Sequence, residues 1–303
     1  MRCLVTGGSG FLGSHLVGRL VAGGHEVVVF DRHAAQLPVT AQFITADLAD
    51  RDTLGDALKN IESVLHLACT TVPSSSEADR IRDVETNVIT TIHLLDLCVE
   101  MGVRKFVFSS SGGTVYGIPK QLPISETHPA DPITSHGVMK LTIEKFLHVY
   151  HQQYGLDYVI LRTSNMYGER QNTSRPQGVV GAFLKSLCLG LPITIWGDGS
   201  VVRDFVYAGD VAEAFLRSLA VSNRIFNIGS GRGVLVRDLL QLLPEVTGIE
   251  PQVQYRPARS IDVPVNVLDV RRAKEELGWE PVTPLEVGLR RTWEWLKSSV
   301  AAA

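Results

Sequence analysis

The sequence predicts an α/β fold: a doubly wound parallel sheet covered by helices, with a smaller, interleaved C-terminal lobe. Three observations point there. Short apolar runs alternate with helical patterns through the first half of the chain. A glycine-rich turn joins the first of those runs to the first helical pattern. After about Gly168 the alternation gives way to longer loops rich in Pro, Gly and Arg. Strand–helix alternation implies βαβ units, whose parallel sheet is buried on both faces.

The elements follow in order. Strand-like runs are Cys3–Thr6, Glu26–Phe30, Gln42–Thr45, Ser63–Ala68, Lys105–Ser109 and Asp157–Leu161. Helical patterns fill the gaps at Gly13–Ala22, Thr53–Lys59, Glu85–Met101 and Gly137–Tyr154. Periodicity alone fits another parallel layout, such as a flavodoxin-like sheet, equally well. Later loops are expected at Gly168–Gly178, Gly197–Arg203 and Arg256–Pro264. Between them, Gly209–Ala220 and Arg224–Gly229 read as a helix–strand pair that rejoins the first sheet.

At 303 residues the chain is long enough for one large or two modest domains with a sizeable core. Apolar residues at 45% and charged residues at 20% fit a globular protein. The 29 basic and 32 acidic residues leave a net charge of −3, against a general nucleic-acid binder. Cys3, Cys69, Cys98 and Cys188 lie apart in apolar runs, without the spacing of a metal site or a disulfide framework. A reducing cytoplasm is therefore expected. No signal-peptide layout opens the chain, and no apolar run reaches the roughly 18–20 residues of a membrane span.

The glycine turn is the sharpest signal. Gly7, Gly10 and Gly13 are spaced by three, between the first strand and the first helix. That spacing suits a tight turn, a close approach of backbone to a pyrophosphate, and close helix–strand packing. The helix start adds free N–H groups and the positive end of its dipole. Asp31 ends the second strand eighteen positions later, where a carboxylate accepts ribose hydroxyls and repels a 2′-phosphate. NAD is thus favoured over NADP, although Arg32 beside it pulls the other way. The expected division is a dinucleotide-binding domain at residues 1–168, rejoined by about 209–230, and a substrate-binding lobe at 169–303.

An ordered series of motifs extends this pattern along nearly the whole chain. It includes Ala46-Asp47-Leu48, His66-Leu67-Ala68, Asn87, Ser109-Ser110-Ser111, Val115-Tyr116-Gly117, Lys140 and Ser164-Asn165. It continues through Gly197-Asp198-Gly199, Arg203-Asp204-Phe205-Val206-Tyr207, Arg259 with Asp262, and Leu277-Gly278-Trp279. In this series the sequence resembles the extended short-chain dehydrogenase/reductase superfamily, in its nucleotide-sugar epimerase/dehydratase branch. The resemblance implies a Rossmann sheet, NAD as cofactor and a UDP-sugar substrate. It also implies that Phe11 and Leu12 line the cofactor with the glycines, that Asp47 and Leu48 flank the adenine, and that Leu67 and Ala68 line the cofactor. Asn87 would steady the packing behind it, and Lys140 would bind the nicotinamide ribose. Helices Glu85–Met101 and Gly137–Tyr154 would pair across a homodimer.

The catalytic segment departs from that pattern. The family places a Tyr one helical turn before the Lys; here the position is His136. Three readings stand: His136 is itself the acid/base, the protein binds ligands but turns over poorly, or the chain is a substituted form of a tyrosine enzyme. The reacting hydroxyl is expected at Ser111, with Ser110 and Thr114 as alternatives. Gly113 and Thr114 occupy the positions where dehydratases and decarboxylases resemble one another in carrying acids, so those reactions are disfavoured. C4 epimerisation needs only hydrogen exchange with NAD and one proton shuttle. It is the expected activity, with dehydrogenase or ketoreductase action and a weakly active binder as rivals.

On the substrate side the resemblance implies that Arg203 and Arg259 clamp the diphosphate, a task suited to guanidinium forks. It implies that Asn165 contacts the pyrophosphate or sugar, that Asp262 contacts the ribose, and that Asn266 limits the space at sugar C2. No metal site is expected.

Overall fold

A computed structural model of the chain describes residues 1–34, 40–171, 178–259 and 262–301. Parts of two expected loops, residues 172–177 and 260–261, lie outside the described residues. The first half contains β1 (Arg2–Thr6), α1 (Phe11–Ala22), β2 (Glu26–Asp31), β3 (Gln42–Thr45), α2 (Arg51–Ala57) and β4 (Ser63–His66). Next come α3 (Pro73–Ala78), α4 (Arg80–Asp83), a π-helical turn at Val84–Ile89, and α5 (Thr90–Glu100). They are followed by β5 (Lys105–Ser111), α6 (Ser135–Tyr154), β6 (Asp157–Thr163) and β7 (Asn165–Tyr167). The remainder holds α7 (Val179–Cys188), β8 (Ile193–Trp196), β9 (Val202–Tyr207), α8 (Ala208–Ser218), β10 (Arg224–Ile228) and β11 (Gly233–Leu235). It ends with α9 (Val236–Thr247), β12 (Val253–Arg256), β13 (Val265–Asn266), α10 (Arg271–Leu277) and α11 (Leu285–Ala301).

Seven strands form one sheet in the order β10-β6-β5-β4-β1-β2-β3, with every pairing parallel. The Rossmann reading holds and the flavodoxin-like alternative falls. Connections run outward in opposite directions from the β1–β4 pair, so a crevice opens at the carboxyl ends of those strands. Because both faces are covered, β2 carries a continuous apolar run and β4 is buried at all four of its positions, without alternation.

One face packs Leu12, Leu16, Val17 and Leu20 of α1 with Val211 and Phe215 of α8. The other packs Leu54 of α2, Leu94 of α5 and Met139, Ile143 and Leu147 of α6. Those α6 positions recur at helical spacing, which is why this helix lies flat on the sheet. Thr134 caps its start by accepting from the Gly137 N–H at 3.2 Å, and Gly155 ends it with φ +72°. A second layer follows β6: β11, β9 and β13 form one small sheet, β7 pairs with β9, and β8 pairs with β12. Its own core gathers Phe183, Ile195, Phe205, Leu243 and Trp293.

Some boundaries differ from expectation for local reasons. The run Ser63–Ala68 stops as a strand at His66, although the Leu67 N–H still donates to the Thr6 carbonyl at 3.1 Å. The expected helix Thr53–Lys59 runs Arg51–Ala57, because Asp50 caps it by accepting from the Thr53 N–H. Arg203 lies in β9 rather than a loop, because β9 is held between β11 and β13. Glu85–Met101 opens with a π-helical turn. There the Thr86, Thr90 and Thr91 hydroxyls donate to carbonyls four residues earlier and compete with regular helix bonds.

Candidate active site

A cleft of about 1000 Å³ opens along the carboxyl ends of the parallel strands and continues under the second layer. The glycine turn forms one end. Gly7 adopts φ +72°, and a Cβ there would stand 2.7 Å from the Ala68 nitrogen. A Cβ on Gly13 would stand 2.3 Å from the Gly7 carbonyl oxygen, so α1 can approach the turn only as glycine. At Gly10 the nearest obstacle is 3.1 Å away. The start of α1 carries no side-chain cap and no acidic residue in its first turn. Its N–H groups and dipole are therefore available to an anion.

Asp31 closes β2 beside this turn. Its carboxylate accepts from the Ser9 N–H at 3.0 Å and the His33 N–H at 3.3 Å. Arg32, the residue that argued for a 2′-phosphate, lies 3.9 Å from the Asp47 carboxylate. The Ser9 hydroxyl is buried without a partner. An anion-ready helix start, a carboxylate at the end of β2 and an orphaned hydroxyl together fit a dinucleotide at this end of the cleft.

The middle of the cleft is built by β5 and α6. His136 and Lys140 stand one turn apart on the buried face of α6 and line the cleft together. Lys140 Nζ donates to the Ser109 carbonyl at 2.9 Å and lies 4.9 Å from the Phe108 ring centre. His136 Nδ1 is 3.4 Å from Thr114 Oγ1. Burial, with Lys140 adding to it and Asp83 opposing, pushes the His136 imidazole down to about 4. At neutral pH the ring is therefore uncharged. Burial, rather than the neighbouring Lys140 cation, is the larger cause.

The three candidate hydroxyls separate clearly. Ser110 Oγ donates to Glu144 at 2.5 Å and is committed there. Thr114 is the one within reach of His136. Ser111 ends β5, and its carbonyl accepts from the Thr114 and Val115 N–H groups, making the turn. Gly113 faces open space: a Cβ there would have Ser111 Oγ at 3.8 Å and Asn165 Oδ1 at 3.9 Å as its nearest neighbours.

At the far end Arg203 and Arg259 converge on one carboxylate. Arg259 Nε and Nη2 donate to Asp262 at 2.8 and 3.0 Å, and Arg203 Nη2 lies 3.7 Å from it. Arg203 Nη1 also donates to the Val202 and Val263 carbonyls. Asp262 thus holds the two guanidiniums together. Asn165 lines the same stretch with its Nδ2 buried and unpartnered.

Every expected site residue lines this cleft except two. Asn87 stands behind it: Oδ1 accepts from the Thr70 N–H at 2.9 Å, and Nδ2 donates to Asp83 Oδ1 at 2.9 Å. There it ties the turn after β4 to the π-helical turn. Asn266 is placed differently from expectation. It is 2% exposed on β13, opposite Arg203 in register, and its Nδ2 donates to the Gly112 carbonyl at 3.0 Å. It props the β5 turn and does not line the cleft.

Sequence reasoning passed over Trp196, which lines the cleft with its ring 5.3 Å from the Arg259 guanidinium carbon. Its signal was available, an aromatic residue immediately before Gly197-Asp198-Gly199. Thr70 and Thr71 also line the cleft and carried no spacing signal of their own. No cluster of metal-ligating side chains occurs among the described residues.

A parallel sheet with this crevice, glycine turn and His–Lys pair defines a dinucleotide-dependent enzyme class. The chain belongs to the NAD dependent epimerase/dehydratase family, whose model matches residues 3–229. It is similar to the UDP-glucose 4-epimerase of Mycolicibacterium smegmatis, 36% identical over 310 residues that span 98% of this chain and 99% of the relative. Among solved structures, the UDP-glucose 4-epimerase of Thermotoga maritima with UDP-glucose superposes with a TM-score of 0.94. It is 39% identical and the match covers 99% of this chain and 100% of that one. The Thermus thermophilus UDP-glucose 4-epimerase in complex with NAD gives 0.93 at 37% identity, with the same coverage.

Proposed function

We propose that the chain is an NAD-dependent epimerase acting at C4 of a UDP-hexose or UDP-N-acetylhexosamine through a transient 4-keto sugar. The observation that carries this reading is the single cleft that joins the glycine turn and Asp31 to His136, Lys140 and the Arg203–Arg259 pair. Gly7, Gly10, Phe11, Leu12, Gly13, Asp31, Asp47, Leu48, Leu67, Ala68 and Lys140 hold the dinucleotide. NAD, when bound, would supply the hydride acceptor and donor for sugar C4.

This chain's own residues handle the rest. Arg203 and Arg259 release part of their hold on Asp262 to grip a diphosphate, whose charge they match bidentately. Asn165 supplies the unpartnered amide donor beside it. His136, uncharged at neutral pH, takes the proton of the sugar hydroxyl through the Thr114 hydroxyl, with Ser111 flanking the same space. Because its acidity as imidazolium is high, it gives the proton back readily when the ketone is reduced. The 3.4 Å separation is loose for a hydrogen bond, as such pairs are before substrate tightens them. Neither Gly113 nor Thr114 offers an acid for eliminating water, so the reaction stops at epimerisation.

A homodimer through α5 and α6 is the proposed assembly, supported by exposed Val138 and Val149 on one face of α6 and by exposed Ile89 just before α5. No helix among the described residues is long and apolar enough to cross a membrane. We place the enzyme in the cytoplasm, where its four free thiols stay reduced. The deciding experiment incubates purified protein with UDP-glucose, then with UDP-N-acetylglucosamine, and reads sugar stereochemistry by NMR alongside NADH absorbance. A C4 epimer without net NADH supports the reading. Steady NADH accumulation, or recovery of unchanged sugars, rejects it.

A further inference from the structure

His136, Lys140 and Glu144 are spaced by four on α6, so they share one helix face, and all three are buried. Each engages β5 or the turn that follows it. His136 meets Thr114, Lys140 donates to the Ser109 carbonyl, and Glu144 Oε1 accepts from Ser110 Oγ at 2.5 Å. Arg162 on β6 is the direct cross-strand partner of Ser110. Its Nε donates to Glu144 Oε1 at 3.0 Å and Oε2 at 3.2 Å, and its Nη2 donates to Oε2 at 2.6 Å. The guanidinium carbon lies 4.8 Å from the Tyr116 ring centre, and Thr163 Oγ1 donates to the Ser110 carbonyl at 3.1 Å. Glu144 and Arg162 are each 4% exposed, and neither lines the cleft.

A buried ion pair is a poor device for stability alone, because desolvating two charges offsets most of their attraction. What this pair has is a fixed geometry, locked to the residue just before the reacting turn. We propose that Glu144 and Arg162 are positioning residues: through Ser110 they set the separation between α6 and the end of β5, and so align His136 with Thr114 and Ser111. The proposal rests on the reading of His136 as the proton-handling group. Neither Glu144 nor Arg162 touches the reacting atoms. Ser110 serves as the link, and its hydroxyl faces Glu144 rather than the sugar.

The test compares Ser110→Ala, Ser110→Thr, Glu144→Gln and the double variant Ser110→Ala/Glu144→Gln with the wild type and with His136→Ala. kcat and KM for UDP-glucose, bound NAD content and thermal midpoint are measured for each. Ser110→Ala breaks one hydrogen bond and leaves the ion pair intact, so the test stands even where Glu144→Gln fails to fold. Small misalignments near reacting groups cost about ten- to a hundredfold in rate. Ser110→Ala and Glu144→Gln each lower kcat about tenfold with KM and NAD content unchanged, Ser110→Thr restores it, and the double variant is no slower than the slower single. Unchanged kcat with a lowered thermal midpoint overturns the proposal, as does a loss in Ser110→Ala that a soluble Glu144→Gln does not share. Full activity in His136→Ala would instead overturn the underlying reading of the site.

Discussion

His136 is the residue on which the chemistry turns, and its surroundings settle its charge. Burial holds the imidazole near 4, so it stays a neutral acceptor across the range where an ordinary histidine, near 6.5, gains charge. The activity profile follows with a definite sign. kcat/KM falls on the acid side only as the ring protonates toward pH 4, not near 6.5, and pH–rate measurements in the absence of competing denaturation check this. His136→Ala lowers kcat about a hundredfold or more while KM for UDP-glucose stays within about threefold, in line with the usual contribution of a general base. His136→Tyr does not greatly exceed wild-type turnover. A large gain with unchanged ligand affinity would mean that histidine is not the working base. The substitution itself was visible in the sequence, four residues before Lys140. Its consequence was not, because a side chain's protonation depends on burial, and burial is a property of the packed fold.

At the scale of elements, the glycine turn was the most legible part of the chain. Spacing of Gly7, Gly10 and Gly13 already implied close packing, and the structure shows the distance behind it, 2.3 Å from a Gly13 Cβ to the Gly7 oxygen. Gly13→Ala must push α1 off the turn, so the purified variant loses its bound NAD. Absorbance and mass analysis after gel filtration check this, and full retention would refute the packing argument. The second layer was harder to read. Arg203 sits in a strand rather than a loop because β9 finds partners far away in sequence, at Val234 and Asn266. The same distant pairing holds Asn266 against the Gly112 carbonyl, outside the cleft lining. Long-range partners leave no local periodicity to detect. The helices α3 and α4 are only 6 and 4 residues long, too short for a helical period to show.

The whole molecule carries a second buried histidine, and together the two link folding to pH. His66 stands between β1 and the start of α5. Thr91 Oγ1 donates to the Asn87 carbonyl at 2.5 Å, so His66 Nε2 carries the proton and donates to Thr91, while Nδ1 accepts from Thr6 Oγ1 at 2.7 Å. Burial, with Lys140 adding, pushes His66 down to about 3. Both histidines are lowered in the folded state, so the unfolded chain binds more protons between about 4 and 6.5, and stability falls as pH drops through that window. From pH 7 to pH 5 each histidine costs about 2 kcal/mol. Urea midpoints at the two pH values, compared between wild type and His66→Asn, isolate the His66 share: the variant loses less stability on going from pH 7 to pH 5.

Across the same scale, the parallel sheet followed from alternation and its Rossmann form from the resemblance the motifs carry, while the strand order came from the structure. The meeting of Arg203 and Arg259 on Asp262 required the fold. The most direct test of the account is the reaction run in D₂O with UDP-glucose and followed at C4 by NMR. If the site removes and returns the same hydrogen through bound NAD, the C4 epimer forms with protium at C4 and no net NADH. Deuterium at C4 of the product, or NADH accumulating without an epimer, would contradict it.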